Sequence, residues 1–385
     1  MSLTPKSSMN RCGFIIAFPL IFSALAVALP AHAVDPQVTE LLDKLDHPWS
    51  MEFLPDNQGL LITERSGQLR VWKEGKGLSA PITGVPEVYN SGQGGLLEVL
   101  LAPDFATSRK IYLTFAEAEQ GSGKSKAGTA LGVGRLTPDN RSIENFQVIF
   151  RQEPKLSVGN HFGGKLAFDK QGNLFMTLGE NNQRPTAQEL NKLQGKVVRL
   201  TPEGKPVADN PFINNANARP EIWSYGHRNP QGLALNPWTG VMWENEHGPR
   251  GGDEINIPQA GKNYGWPLAT WGINYSGLPI PEAKGTKVAG TEQPIHYWER
   301  SPGVSGMAFY NSDRFPVWKH SLFIGALAQE NLIHLKLDGD KIVSEERWLG
   351  DRKERIRDVR VGPDGYVYLL TDDSDGKLLR LQPQQ

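Results

Sequence analysis

One short phrase restricts the fold of this chain more than any other feature. It is a turn rich in Pro, Asp, Asn or Gly, followed by a run of apolar residues. Phe53-Leu54-Pro55-Asp56 precedes Gly59-Leu60-Leu61-Ile62-Thr63, then a turn at Arg65-Ser66-Gly67 and the run Gln68-Leu69-Arg70-Val71-Trp72. Near the other end, Gly362-Pro363-Asp364-Gly365 precedes Tyr366-Val367-Tyr368-Leu369-Leu370-Thr371, then a turn at Asp375-Gly376 and the run Lys377-Leu378-Leu379-Arg380-Leu381. Both read as turn, inner strand, hairpin and outer strand. Between them, Leu101-Ala102-Pro103-Asp104 leads into Ile111-Tyr112-Leu113-Thr114, and Phe168-Asp169 into Leu174-Phe175-Met176-Thr177. Leu235-Asn236-Pro237 leads into Val241-Met242-Trp243, and Phe309-Tyr310-Asn311-Ser312 into Leu322-Phe323-Ile324. A lone four-stranded sheet cannot bury both faces, whereas radial packing of several does so and leaves short, protected edges. The spacing falls in the range of propeller blades, and long helical periodicity is absent. The chain therefore reads as all-β and propeller-like, with a β-sandwich as the alternative. Residues 118–129 and 277–291 read as surface loops.

The first 33 residues have a different character. Lys6 and Arg11 lead into an apolar run from Gly13 to Leu29, which ends at Ala31-His32-Ala33. That is the layout of a secretory signal peptide cleaved near Ala33. It leaves residues 34–385 as one domain, exported to the periplasm. A membrane anchor fits less well, because the run is short and Pro30 sits where a charged flank would be needed. The single cysteine, Cys12, lies in this segment. Stability after export would then come from burial or metals rather than disulfides. A formal net charge of -1 gives no footprint for nucleic acid or a polybasic membrane patch. The histidines show no zinc-like spacing, and neither a dinucleotide fingerprint nor a nucleophile elbow is present.

Four clusters carry chemistry. In Gly159-Asn160-His161-Phe162-Gly163-Gly164, glycines surround a histidine, the side chain best matched to taking a proton near neutral pH. Glu180 ends the next strand phrase, where a carboxylate could orient that imidazole. In Tyr225-Gly226-His227-Arg228-Asn229-Pro230, Arg228 supplies a fork of donors, and Asn229 is pushed towards extended geometry by the following proline, aiming its amide outwards. The stretch from Glu246 to Asn256 combines Gly, Pro, carboxylates and exposable carbonyls, the donor set that calcium takes. In Arg355-Ile356-Arg357-Asp358, strand alternation puts both guanidinium groups on one face, suited to clamping a polycarboxylate. Gln93 is displayed among glycines. Each cluster also has a plain reading as a loop, a turn or a charged strand edge.

Together, and in this order, the motifs resemble the soluble quinoprotein glucose dehydrogenases, in particular the bacterial aldose sugar dehydrogenases. The resemblance runs from about Leu42 to Leu381. It is carried by Ile222-Trp223-Ser224-Tyr225-Gly226 through Gln231-Gly232, and by His247-Gly248-Pro249 through Lys262-Asn263-Tyr264-Gly265-Trp266-Pro267. It implies a six-bladed β-propeller of four-stranded antiparallel blades, with the active site at one axial face and with pyrroloquinoline quinone (PQQ) and calcium as cofactors. His161 matches the base that takes the sugar C1 hydroxyl proton, and Glu180 the carboxylate behind it. Arg228 and Asn229 match the pair near the reactive quinone carbonyl, while Arg355, Arg357 and Gln93 match contacts to the cofactor. Gly248 and Pro249 would offer carbonyls to the PQQ-bound calcium. Glu254 and the Tyr264 carbonyl would hold a second, structural calcium, and Trp298 would line the sugar pocket. Ala328 stands where some relatives carry a lysine over the cofactor, and Asn160 where some carry Asp.

The implied reaction is oxidation of aldose sugars at C1 to lactones, with electrons passed to an external acceptor by a monomer or homodimer. The rivals are a calcium-dependent propeller lactonase, which would use the metal and His161 on water, and a non-catalytic propeller that binds a partner. Paired arginines favour the quinone, since a lactonase has no polycarboxylate to clamp.

Overall fold

The computed structural model describes residues 1–4, 35–121, 126–157 and 159–384. The signal-peptide reading, with Cys12 and the Ala31-His32-Ala33 site, lies outside the described residues. No helix among the described residues is long and apolar enough to cross a membrane.

Residues 35–384 form six antiparallel sheets arranged as blades. Blade 1 is Pro48–Leu54, Gly59–Glu64, Gln68–Lys73 and Gly77–Leu78. Blade 2 is Leu96–Leu101, Lys110–Ala118 and Lys126–Leu136, its outer edge shared by Ile143–Arg151 and Leu156–Ser157. Blade 3 is Gly163–Phe168, Leu174–Leu178, Lys196–Leu200 and Ile222–Tyr225. Blade 4 is Pro230–Leu235, Met242–Glu246, Asp253–Asn256 and His296–Trp298. Blade 5 is Val304–Tyr310, Ser321–Ala326, Asn331–Asp338 and Lys341–Trp348. Blade 6 is Ile356–Val361, Val367–Thr371 and Gly376–Gln382, closed on the outside by Gln37–Leu45.

The sequence phrases mark blades correctly but are displaced by one strand. Each apolar run read as an inner strand is the second strand of its blade, and the strand before its turn lies innermost, against the neighbouring blades. The run Ala127–Thr129, read as loop, belongs to a strand of blade 2.

Alternation explains the radial packing. In blade 1, Leu61, Leu69 and Val71 face blade 2, where they meet Leu96, Leu113 and Phe115. Their neighbours Leu60, Ile62 and Trp72 face blade 6 and meet Leu370 and Leu378. Every adjacent pair of blades shares such an apolar layer. Each side chain buried there contributes roughly 1.5–3 kcal/mol relative to exposure.

The axis is polar instead. The Lys165 ammonium lies 2.8 Å from Glu98 and 2.8 Å from Asp358, with all three side chains buried. Ser50 donates to Glu98 at 2.7 Å, the Met51 N–H donates to Asp358 at 3.1 Å, and Arg360 pairs with Glu98. Four of the six inner strands are thus tied across the axis.

Every inner strand also carries a register shift near its start: after Pro48, Leu96, Gly163, Pro230, Val304 and Ile356. A bulge at that point re-aims side chains out of the normal alternation. The Lys165→Met substitution would remove the ammonium shared by two buried carboxylates and leave both to Arg360. It is expected to destabilise the protein by about 3–5 kcal/mol, measured as a lowered denaturant midpoint.

Candidate active site

The bulges set the floor of a cavity of about 1160 Å³ at the face where the inner strands begin. Trp49, Leu97, Gln231 and Arg357 all sit at bulges and line it. The walls come from the turns between second and third strands. These supply Arg65 in blade 1, His247 to Gly251 in blade 4, Leu327 and Ala328 in blade 5, and Asp372 in blade 6. Gln93, Gly248, Pro249, Arg355 and Arg357 therefore share one hollow, as the sequence suggested.

His161 stands beside the lining residues Phe162 and Gly163, with left-handed backbone (φ 57°). Its N–H donates to the Gln93 side-chain carbonyl at 2.9 Å, and its own carbonyl accepts from the Asn181 amide at 3.0 Å. Gly179 packs so closely that a Cβ there would lie 1.9 Å from the His161 carbonyl oxygen. His161 Nδ1 meets Glu180 at 2.8 Å, with Glu180 fully buried. Burial lowers the imidazole pKa from its ordinary 6.5 and Arg228 lowers it further, against an upward pull from Glu180. A carboxylate on Nδ1 fixes that nitrogen as donor and leaves Nε2 with the lone pair able to take a proton.

Arg228 is buried against Trp266, 5.3 Å from the ring centroid, and donates to the Gly248 carbonyl at 2.6 Å. Its carbonyl accepts from the Glu180 N–H at 2.9 Å, tying guanidinium and base into one unit. The Asn229 amide does not point outwards as expected. Its oxygen accepts from the Gly163 N–H and the Gln231 amide, both at 3.2 Å, because the extended residue before Pro230 faces the His161 loop. Asn229 therefore braces the site.

Arg355 and Arg357 share Asp372, at 3.1 and 2.9 Å. Burial alone would raise the Asp372 pKa, but the two guanidiniums hold it well below the usual carboxylate range. The pair acts together for a reason other than alternation. Arg355 precedes the strand, and Arg357 occupies the bulge between Ile356 and Asp358.

Beside Arg228 lies a pocket lined by Glu246, Gly248, Glu254 and Tyr264. The Asn256 amide reaches Glu244 at 2.8 Å and Glu246 at 3.3 Å, and His227 Nδ1 meets Glu246 at 3.0 Å. Burial and the neighbouring carboxylates raise Glu254 well above its ordinary value and Glu244 to about 7. His227, opposed by burial but held by the glutamates, rises to about 9. Two buried carboxylates and the half-buried Glu254 around one imidazole are short of positive charge, the condition under which a hard cation binds. Glu244 escaped the sequence reading and His227 was quoted there only as a neighbour of Arg228, although the same-face spacing of Glu244 with Glu246, which opens the calcium-like stretch, was a usable signal.

Trp298 is not on the cavity wall. It packs between blades 4 and 5 with Val304 and Ile324, and its indole N–H donates to Glu345 at 3.0 Å. The aromatic residues on the wall are Trp49, Phe162, Trp271 and Tyr275, with Trp271 stacked on Tyr297 at 3.8 Å.

Comparison with known proteins agrees with this arrangement. The family model described as glucose/sorbosone dehydrogenase matches residues 45–380. The aldose sugar dehydrogenase YliI of Escherichia coli is 62% identical over 98% of this chain and 100% of its own length. A crystal structure of a glucose dehydrogenase is 71% identical, with a TM-score of 0.89, over 91% of this chain and 100% of that one. A PQQ-bound aldose sugar dehydrogenase from Streptomyces coelicolor is 26% identical, with a TM-score of 0.73, over 91% of this chain and 100% of that one. A six-bladed propeller with a basic axial cavity and an imidazole–carboxylate pair defines the class, that of the sugar dehydrogenases, which are oxidoreductases. The chain belongs to the glucose/sorbosone dehydrogenase family.

Glu180 raises the His161 pKa, so removing its charge must lower it. In Glu180→Gln, the acid limb of the pH–rate profile is expected to move to lower pH, with a smaller plateau rate. An NMR titration of the His161 ring checks the same shift without turnover.

Proposed function

We propose that the protein oxidises aldose sugars at C1 to lactones, using PQQ and calcium, and passes the electrons to an external acceptor. The observation that carries this reading is the cationic wall of the cavity. Arg357 keeps a buried Nε without a hydrogen-bond partner and Arg355 stands beside it, while Arg228, lining the adjoining pocket, has a buried Nε that is likewise unpartnered. Unmatched donors at a dry wall suit a flat polycarboxylate, and the cavity has room for one together with a sugar. The Gly248 and Pro249 carbonyls would hold one calcium beside it. Glu254 and the Tyr264 carbonyl, with Glu244 and Glu246 near them, fit a second.

PQQ supplies the two-electron acceptor when bound, and calcium polarises it. The chain's own residues do the rest. His161 Nε2 takes the proton from the C1 hydroxyl as C1 gives up its hydride, and Glu180 stabilises the imidazolium that results. Arg228 places positive charge where negative charge develops, and Arg355 and Arg357 fix orientation. Gln93 and Asn229 hold the His161 loop. The reading includes export to the periplasm by residues 1–33 and action as a monomer or homodimer.

Protein stripped with a chelator and then given PQQ, calcium, glucose and a redox dye is expected to reduce the dye. Omitting either PQQ or calcium should abolish the signal. Lactone hydrolysis without PQQ would establish the hydrolase instead. In His161→Ala, PQQ binding should persist while turnover falls by roughly 10²–10⁴-fold; normal turnover would remove His161 from the role of base.

A further inference from the structure

Arg65 was read from sequence only as part of a turn, and no role described so far uses it. It opens the turn between the second and third strands of blade 1, the position that Asp372 occupies in blade 6 and Leu327 in blade 5. Its backbone is held on both sides. Its N–H donates to the His47 carbonyl at 3.1 Å, and its carbonyl accepts from the Leu96 N–H at 3.2 Å. A Cβ on Gly95 would lie 2.2 Å from the Arg65 carbonyl oxygen, so blade 2 presses directly on this turn. The residue is half-buried and lines the cavity with Gln93, Arg355, Arg357 and Asp372.

The charges on this wall do not balance. Arg355 and Arg357 both lean on Asp372, and Arg357 also donates to Gln231 at 3.2 Å. Arg65 has no ion pair among the described residues, and its Nε is buried without a hydrogen-bond partner. A solvated surface arginine would keep its Nε in water. A guanidinium with a dry, unmatched donor at the edge of a cavity is the complement of an anion that enters the cavity. Across the hollow, Ala328 offers no charge.

We propose that Arg65 is a third guanidinium of the cofactor clamp and binds a carboxylate of PQQ directly; the inference rests on the PQQ reading above. PQQ carries several carboxylates, and the two arginines on Asp372 already share their charge with a protein anion. Among the described residues Arg65, like Arg250 and Arg300 elsewhere in the lining, has no carboxylate partner, so its charge is undivided and available to the anion.

The test is equilibrium binding of PQQ to the calcium-loaded protein, read by quenching of tryptophan fluorescence, with PQQ trimethyl ester as a second probe lacking carboxylates. Arg65→Met is expected to weaken PQQ binding by roughly ten- to a hundred-fold, with the ester changed by less than about two-fold. Arg65→Lys should recover part of the loss, since it keeps the charge without the fork. Unchanged PQQ affinity in Arg65→Met overturns the inference, as does an equal loss for PQQ and its ester, which would mark a merely structural role. If Arg65→Met fails to fold, Arg65→Lys decides by the same comparison of the two probes. Failure of the wild-type protein to bind PQQ overturns the preceding reading and this one together, whereas wild-type binding with an unaltered variant removes this one alone.

Discussion

The buried ammonium of Lys165, held between Glu98 and Asp358, is the interaction on which the rest of the structure depends. A ring of blades leaves a hole at its centre, and something must fill it. Here the filling is charge, donated by blades 2, 3 and 6 and joined to blade 1 through Ser50. Buried ion pairs add little net stability, but breaking one is costly, so such a cluster tolerates a single arrangement of its strands. Lys165 also lies 4.6 Å from the centroid of the Trp49 ring, and Arg357 lies 6.0 Å from it. The axial charge therefore sits directly beneath the cavity floor, and the alignment of the inner strands fixes where the floor residues point.

Upon that frame the site divides its labour by blade. The imidazole and its carboxylate come from blade 3, from the segments that enter and leave one strand pair at the same end. Blade 4 contributes the carbonyls and the acidic pocket. The cationic wall spans blades 6 and 1. Arg228, at the junction of blades 3 and 4, touches the first two regions: its backbone carbonyl receives the Glu180 N–H, and its guanidinium reaches Gly248. A displacement of one blade would separate groups that the proposed reaction brings to the same carbon atom.

Much of this was legible in the sequence. The six apolar runs appeared there because second strands pack on both faces and read as continuous hydrophobic stretches. The inner strands were hidden for the opposite reason. Ser50, Glu98, Lys165, Gln231 and Arg357 interrupt them with polar side chains, and a bulge breaks the alternation of each. Local glycine-rich motifs around His161 and Gly248 stood out because the backbone there needs unusual conformations. Arg65 and Asp372 did not stand out, since each belongs to an ordinary hairpin and gains meaning only where hairpins of different blades converge. Trp298 was misplaced because neighbouring residues on a strand face opposite ways, and one position decides between wall and core.

The closing strand of blade 6 has a consequence for how the molecule comes into being. Gln37–Leu45 is made early and must wait for Gly376–Gln382, its hydrogen-bonded partner, which follows all the other strands of the ring. During synthesis the chain can stack blades 1 to 5, yet both flanks of that arc stay bare until the two ends meet. Arg355, Arg357 and Asp372 belong to the late segment, so half of the cationic wall is missing from any partly made chain. The ring is closed, and the cavity has all its sides, only once the first and last strands have paired.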